Sequence, residues 1–181
     1  MEEAVERVSA EITQRLADDQ AALELRDTIP GVGRRAAEII LAEVGTDLAR
    51  FPTAKHLASW AGICPGHKES GGKRLSGKTR KGNIWLRHVL FEVAHAASKT
   101  KDTYLSAQYR RLAARRGKQR ALIALGHSIP VSAYHILTRR VPYRELGPLY
   151  FDVLDRQRVQ QRLIQRLERL GYTVNLQPIA A

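Results

Sequence analysis

Residues 65–99, PGHKESGGKRLSGKTRKGNIWLRHVLFEVAHAASK, change character at Asn83. Before it lie Ser-Gly and Gly-Gly pairs and a dense run of Lys and Arg, with Leu75 almost alone among apolar residues. Such a stretch cannot build a core, so residues 65–83 are expected to form a long basic surface loop. Loops this long inside a compact domain are usually functional or disordered. After Asn83 the apolar residues Trp85, Leu86, Val89, Leu90, Val93, Ala94, Ala96 and Ala97 recur at helical spacing in a wide stripe. Asn83 is a natural N-cap for that helix, which should run to about Lys99 at the centre of the core.

Toward the N-terminus, Phe51-Pro52-Thr53 reads as a helix entry with Thr53 as N-cap, and Cys64-Pro65-Gly66 as its stop. Upstream lies LRDTIPGVGRRAAEIILAEVG, residues 25–45. It resembles the helix-hairpin-helix motif, in which a Gly-x-Gly turn joins two short helices. Gly31 and Gly33 lack Cβ, so the backbone can turn tightly and approach a phosphate. The unpaired N–H groups and positive dipole end of the second helix favour an anion, and Arg34 and Arg35 add side-chain charge. A plain αα-hairpin with glycine in its turn is the alternative. Residues 1–26 read as one acidic amphipathic helix, with Val5, Val8, Ile12, Leu16 and Leu23 on one face. It is expected to be the end of a coiled-coil linker, or else a helix packed on its own domain. Its pattern begins mid-stride, which suggests a piece of a longer protein.

Toward the C-terminus, a helix is expected over residues 103–116 with Asp102 as N-cap and a cationic face of Arg110, Arg111, Arg115 and Arg116. Residues 118–140 are helical and mostly apolar, and Pro130 should kink or split them. Residues 151–170 read as one long helix stopped by Gly171. The tail TVNLQPIA reads as an edge strand or irregular chain. No sheet is expected anywhere, so the fold class is all-α, with residues 27–181 forming one domain after the linker helix.

The 181-residue chain carries a net charge of +12. Residues 65–120 hold 15 Lys/Arg against Glu69, Glu92 and Asp102, a surplus equal to that of the whole chain. Residues 1–26 instead carry 7 acidic groups against Arg7, Arg15 and Arg26. Charge this localised implies a polyanionic partner, with nucleic acid first and ribosomal RNA or an anionic membrane behind it. Cys64 is the only cysteine, which leaves no disulfide framework and suits a reducing compartment. No segment reads as an unbroken apolar span, and the acidic start is unlike a secretory signal, so a cytoplasmic, nucleoid-associated protein is expected.

No metal site is expected in this stretch of chain. Cys64 and His67 lack a second pair, and His88 with His95 on one helix face read as packing or capping residues. The basic half has no acidic cluster that could hold the two magnesium ions of a nuclease. Gly71-Gly72-Lys73 lacks the spacing of a phosphate-binding P-loop. What remains is a hydroxyl in a basic loop. Ser70 precedes two glycines that leave its Oγ unhindered, and Lys73, Arg74, Lys78, Arg80 and Lys81 follow as stabilisers of a pentacovalent phosphorus. Arg87, set against the helix dipole, would gain from a bound phosphate. A serine nucleophile needs a base and none is evident, while Ser76 in the second Ser-Gly pair is an equal rival on these grounds.

The stretches IPGVGRRAAEIILAEVG, FPTAKHLASWAGICPG and ESGGKRLSGKTRKGNIWLRHVLFEVAHAA, in that order, resemble the C-terminal domain of the insertion-sequence one-ten (DEDD, Piv-like) transposase family. The likeness runs from Leu25 to about Thr138, and departs at Ser128-Ile129-Pro130, where members tend to continue an unbroken basic helix. In that family an acidic RuvC-like domain binds Mg²⁺, a coiled coil follows, and the domain seen here supplies a catalytic serine. The resemblance therefore implies Ser70 as nucleophile and moves Ser76 behind it. It implies that base and metal come from a domain outside this chain, so that the isolated piece is inactive. It further implies duplex DNA as partner, a guide RNA in some members, and homo-oligomers of the full-length protein. A non-catalytic helix-hairpin-helix module for DNA or RNA is the competing expectation, and a structural RNA-binding protein the third.

Overall fold

The computed structural model describes residues 2–66 and 68–177, without the side chains of Glu2, Lys68 and Arg74. His67 and the end of the C-terminal tail, both discussed above, lie outside the described residues. The elements in chain order are α1 (Glu2–Arg15), a 3-10 turn (Ala17–Asp19), α2 (Gln20–Asp27), α3 (Arg34–Val44) and α4 (Ala54–Trp60). The strands β1 (Lys68–Ser70) and β2 (Lys73–Ser76) follow, then α5 (Ile84–Lys99), α6 (Tyr104–Arg116) and α7 (Lys118–Arg139). Two short helices, α8 (Tyr150–Leu154) and α9 (Arg156–Glu168), complete the chain. The fold is all-α, as the apolar periodicity predicts.

The core is built on α5 and α7. Leu86, Val89, Leu90, Val93, Ala94 and Ala97 of α5 are buried, as are Ala121, Leu125, Ile129, Ala133 and Ile136 of α7. Each fully buried Leu or Ile contributes on the order of 1.5–3 kcal/mol, so this stripe dominates the stability. Asn83 caps α5 as expected, its Oδ1 accepting from Leu86 N–H at 2.8 Å. Its amide also donates to Glu43 of α3, which ties the end of the basic segment to the domain. Helices α2, α3, α4 and α6 pack around this pair.

Several expectations need correction. The N-terminal helix is not continuous: it breaks at Leu16 into a 3-10 turn containing Asp18 and Asp19. Short acidic side chains compete for backbone groups and favour such turns. Beyond the break α2 buries Leu23 fully, while Val5 and Val8 of α1 stay in solvent. Helix α6 is capped by Thr103, whose Oγ1 accepts from Ser106 N–H at 3.2 Å, while Asp102 adopts a left-handed φ of 54° just before it. Pro130 does not split α7. It removes one N–H donor, but its ring is buried and packing carries the helix through.

By length and composition α7 is also long and apolar enough to cross a membrane, one such helix among the described residues. The sequence reading missed it because Arg120, His127 and His135 interrupt the run; here its apolar face is the core. The expected helix over 151–170 is two helices meeting at Asp155, and neither buries a residue. Tyr104 of α6 stacks on Phe151 at 5.1 Å and Arg111 covers the same ring, which holds α8 to the body. Leu163 and Leu167 of α9, and Leu170 just after it, remain exposed, so this stripe finds no core among the described residues.

Candidate nucleic-acid interface

The turn between α2 and α3 begins with Thr28 and Ile29, and Val32 N–H closes back on Ile29 O at 2.9 Å. Its two glycines have different surroundings. Gly31 sits at φ +87°, and a Cβ there would lie 2.5 Å from Ala97 N and 2.8 Å from Val93 O of α5. It is the point where the turn packs backbone to backbone on the core helix. Gly33, at φ −87°, is the N-cap of α3 and faces open space. Arg34 and Arg35 are both drawn to the buried carboxylate of Glu38, at 3.0 and 3.1 Å, and Arg34 also reaches Gln20. Two guanidinium groups share one carboxylate, so the open first turn of α3 keeps one net positive charge in addition to the dipole.

Arg26 closes this unit from below. It is fully buried and donates to Ala22 O at 3.2 Å and to Gly45 O at 2.9 Å, joining the ends of α2 and α3. Burial pushes its guanidinium pKa down to about 10, although the Asp19 charge opposes the shift. This buried cation was read from sequence as the last residue of a linker helix; no charge pattern distinguishes it.

The basic segment is a paired ribbon where the sequence reading expected a loop. Strands β1 and β2 run antiparallel, with Ser70 opposite Lys73 and Glu69 opposite Arg74. Gly71 and Gly72, at φ +56° and +73°, make the two-residue turn that matches the strand twist. Below the strands Pro65 bridges Thr79 and Gly66 N–H donates to Lys78 O at 3.0 Å. At the base Gly62 and Gly82 cross with no room for a side chain: a Cβ on Gly62 would lie 2.7 Å from Gly82 Cα.

This geometry separates the two serines. Ser70 is exposed at the tip, and among the described residues no group hydrogen-bonds its hydroxyl. Ser76 is half-buried at the foot of β2, where its Oγ accepts from Lys78 N–H at 3.2 Å. Lys73, Lys78, Arg80 and Lys81 are exposed along the ribbon. Arg87 leaves α5 toward the ribbon and is fixed by Thr79 Oγ1 at 3.0 Å, Arg80 O at 3.2 Å and the face of Phe91. Ile84 and Trp85, beside the ribbon's foot, are 74% and 70% exposed, so Trp85 is not part of the core stripe to which periodicity assigned it.

Between the ribbon's foot and α6–α7 runs a groove of about 1120 Å³. Lys78, Arg87, Arg116 and Arg120 stand on its rim, and among the described residues no acidic one lines it. It is not legible in the sequence, because its walls come from two separate segments, residues 63–87 and 108–128. Among the described residues no three His, Cys, Asp or Glu side chains converge on a point, and His88 pairs instead with Glu92 at 3.2 Å.

Comparison with known proteins agrees with the residues quoted at the outset. A family model described as transposase IS116/IS110/IS902 family matches residues 23–110. The chain is 35% identical over 121 residues to a transposase for insertion sequence element IS1111A from Coxiella burnetii, covering 65% of this chain and 33% of that protein. It is 42% identical over 86 residues to an insertion element IS110 protein of Streptomyces coelicolor, covering 45% of this chain and 21% of that one. A pilin gene-inverting protein of Moraxella bovis is 29% identical over 119 residues, or 64% of this chain and 37% of its own length. The matched part thus spans at most 37% of these relatives. The match begins at the buried Leu23, runs through the α2–α3 turn and the ribbon, and ends in α6, so residues 23–110 are similar to the domain shared by the IS116/IS110/IS902 transposase family.

Proposed function

We propose that this chain is the part of a DNA transposase that supplies a serine nucleophile, Ser70, for phosphodiester exchange. One observation carries the reading: an exposed serine hydroxyl, unengaged among the described residues, at the tip of a ribbon studded with cations. Ser70 Oγ attacks a DNA phosphorus and gives its proton to a base. The departing DNA oxygen takes up a proton, and a phosphoserine link remains. A hydroxyl from a second strand then displaces the serine, so one phosphodiester replaces another and no external energy source is needed. Lys73 and Arg74 beside the tip stabilise charge on the phosphorane oxygens, while Lys78, Arg80, Lys81 and Arg87 toward the foot hold and position the nucleic-acid backbone. The open α3 turn at Gly33, with Arg34 and Arg35, holds duplex DNA without reading its sequence; Gly31 supports that turn from the core side.

The base and Mg²⁺ are assigned to an acidic domain outside this chain, in keeping with a match to 43% or less of the relatives' length. Homo-oligomerisation of the whole protein is supported by the exposed apolar stripes of α1 and α9, and a guide RNA belongs to the same proposal. The test is recombination by the full-length protein. Ser70→Ala should abolish it while leaving DNA binding within about twofold, and Ser76→Ala should retain it. Recombination at wild-type level by Ser70→Ala overturns the assignment. A non-catalytic DNA- or RNA-binding module is the second reading, favoured by the lack of a base on Ser70 among the described residues; it predicts no covalent protein–DNA species.

A further inference from the structure

The groove below the ribbon has two chemically distinct levels. Its rim carries Lys78, Arg87, Arg116 and Arg120. Arg116 and Arg120 form no ion pair among the described residues, and Arg87 is held in place by three contacts within the protein. Its floor is uncharged. The Ser128 hydroxyl lies 3.1 Å from both Oε1 and Nε2 of Gln108. His127 stands beside them, and burial pushes its pKa below the usual histidine range, so it is a neutral hydrogen-bonding ring at pH 7. Ile63, Ile123 and Ala124 supply the apolar part of the lining.

Cations above, with neutral amide, hydroxyl, imidazole and apolar groups below, match a nucleotide chain whose bases are free. A duplex offers the rim its phosphates but keeps its bases stacked inside, out of reach of the floor. A single strand offers both. We propose that this groove binds a single DNA strand, with phosphates on Lys78, Arg116 and Arg120 and a base on the Gln108–His127–Ser128 floor. The site is separate from the Ser70 tip. The choice of DNA over RNA rests on the proposed transposase role, in which strand exchange exposes unpaired DNA.

The test measures binding of this chain to a short single-stranded DNA, to RNA of the same sequence and to the corresponding DNA duplex, across a salt series. Each lost phosphate contact to a single strand lowers the log–log salt slope by about 0.7, so Arg116→Ala/Arg120→Ala should lower it by about 1.4. That is roughly a 25-fold weaker strand affinity near 0.1 M salt. Duplex binding should fall less than about threefold, because other cations serve it. Gln108→Ala should leave the slope unchanged while flattening preference among homopolymers of the four bases. Equal losses for strand and duplex, or no loss for the strand, overturn the proposal, and tighter binding of RNA than DNA overturns the choice of strand. Ser70→Ala should bind the strand like wild type, so a failed recombination test for Ser70 leaves this result standing.

Discussion

Substituting Gly31 by alanine separates fold from contact within the α2–α3 turn. At φ +87° an L-residue is strained by about 1–3 kcal/mol. The new Cβ would also stand 2.5 Å from Ala97 N and 2.8 Å from Val93 O, backbone atoms of the central helix that cannot swing aside as a side-chain tip would. Forcing that overlap apart costs about a further 1–3 kcal/mol. The sum, roughly 2–6 kcal/mol, is a large part of the ~5–15 kcal/mol that holds a typical domain together. For a chain of this size it corresponds to a drop in Tm of about 4–20 °C. The control is Gly33→Ser. Its φ of −87° suits any residue, its Cβ would meet nothing within 4 Å, and serine is a better N-cap than glycine. That variant should melt within about 2 °C of wild type or slightly higher. The assay is thermal unfolding followed by circular dichroism at 222 nm (helix signal) on both variants. A Gly31→Ala protein that melts with wild type, or a Gly33→Ser protein that loses as much, refutes the packing of the turn on α5.

Other perturbations follow from the same contacts. Asn83→Ala removes the cap of α5 and the partner of Glu43, and should cost about 1–2 kcal/mol by chemical denaturation; no loss would mean that the helix start is held otherwise. Gly62→Ala should push the ribbon's two ends apart at the crossing with Gly82, which proteolysis within residues 63–82 would report; unchanged protection contradicts the crossing. His127 has a depressed pKa in the folded chain, against about 6.5 unfolded. Its neutral form is favoured by folding, so the unfolded chain takes up the proton first. The associated stability is complete above about pH 6.5 and is lost as pH falls through the lower folded value. His127→Gln should therefore flatten the decline of Tm below pH 6.5, and identical slopes would contradict its burial.

What the sequence made legible is what periodicity encodes. The α5 stripe from Leu86 to Ala97, apart from the exposed Ala96, and its Asn83 cap stand as read, because an i, i+3, i+4 pattern and a side-chain oxygen before it act locally. Trp85 escaped the same rule, since a stripe at the first turn of a helix need not reach the core. Pro130 escaped too, because tertiary burial outweighs one missing N–H. The ribbon was hidden by its composition: three- and four-residue strands rich in Lys have no alternating apolar face. The one available signal was Gly71-Gly72, a pair suited to a two-residue hairpin turn. Of the site, Ser70 and its cations were visible as a list but not as a tip and a foot. The groove was invisible, because Gln108, His127 and Ser128 meet Lys78 and Arg87 only through helix packing.

The central claim is that Ser70 becomes covalently joined to DNA. The direct measurement is peptide mapping by mass spectrometry of full-length protein trapped on a DNA substrate that cannot complete strand exchange. The account predicts a nucleotide adduct on the peptide that contains Ser70, absent in Ser70→Ala and present in Ser76→Ala. An adduct on Ser76 or elsewhere, or recombination with no adduct at all, would contradict it.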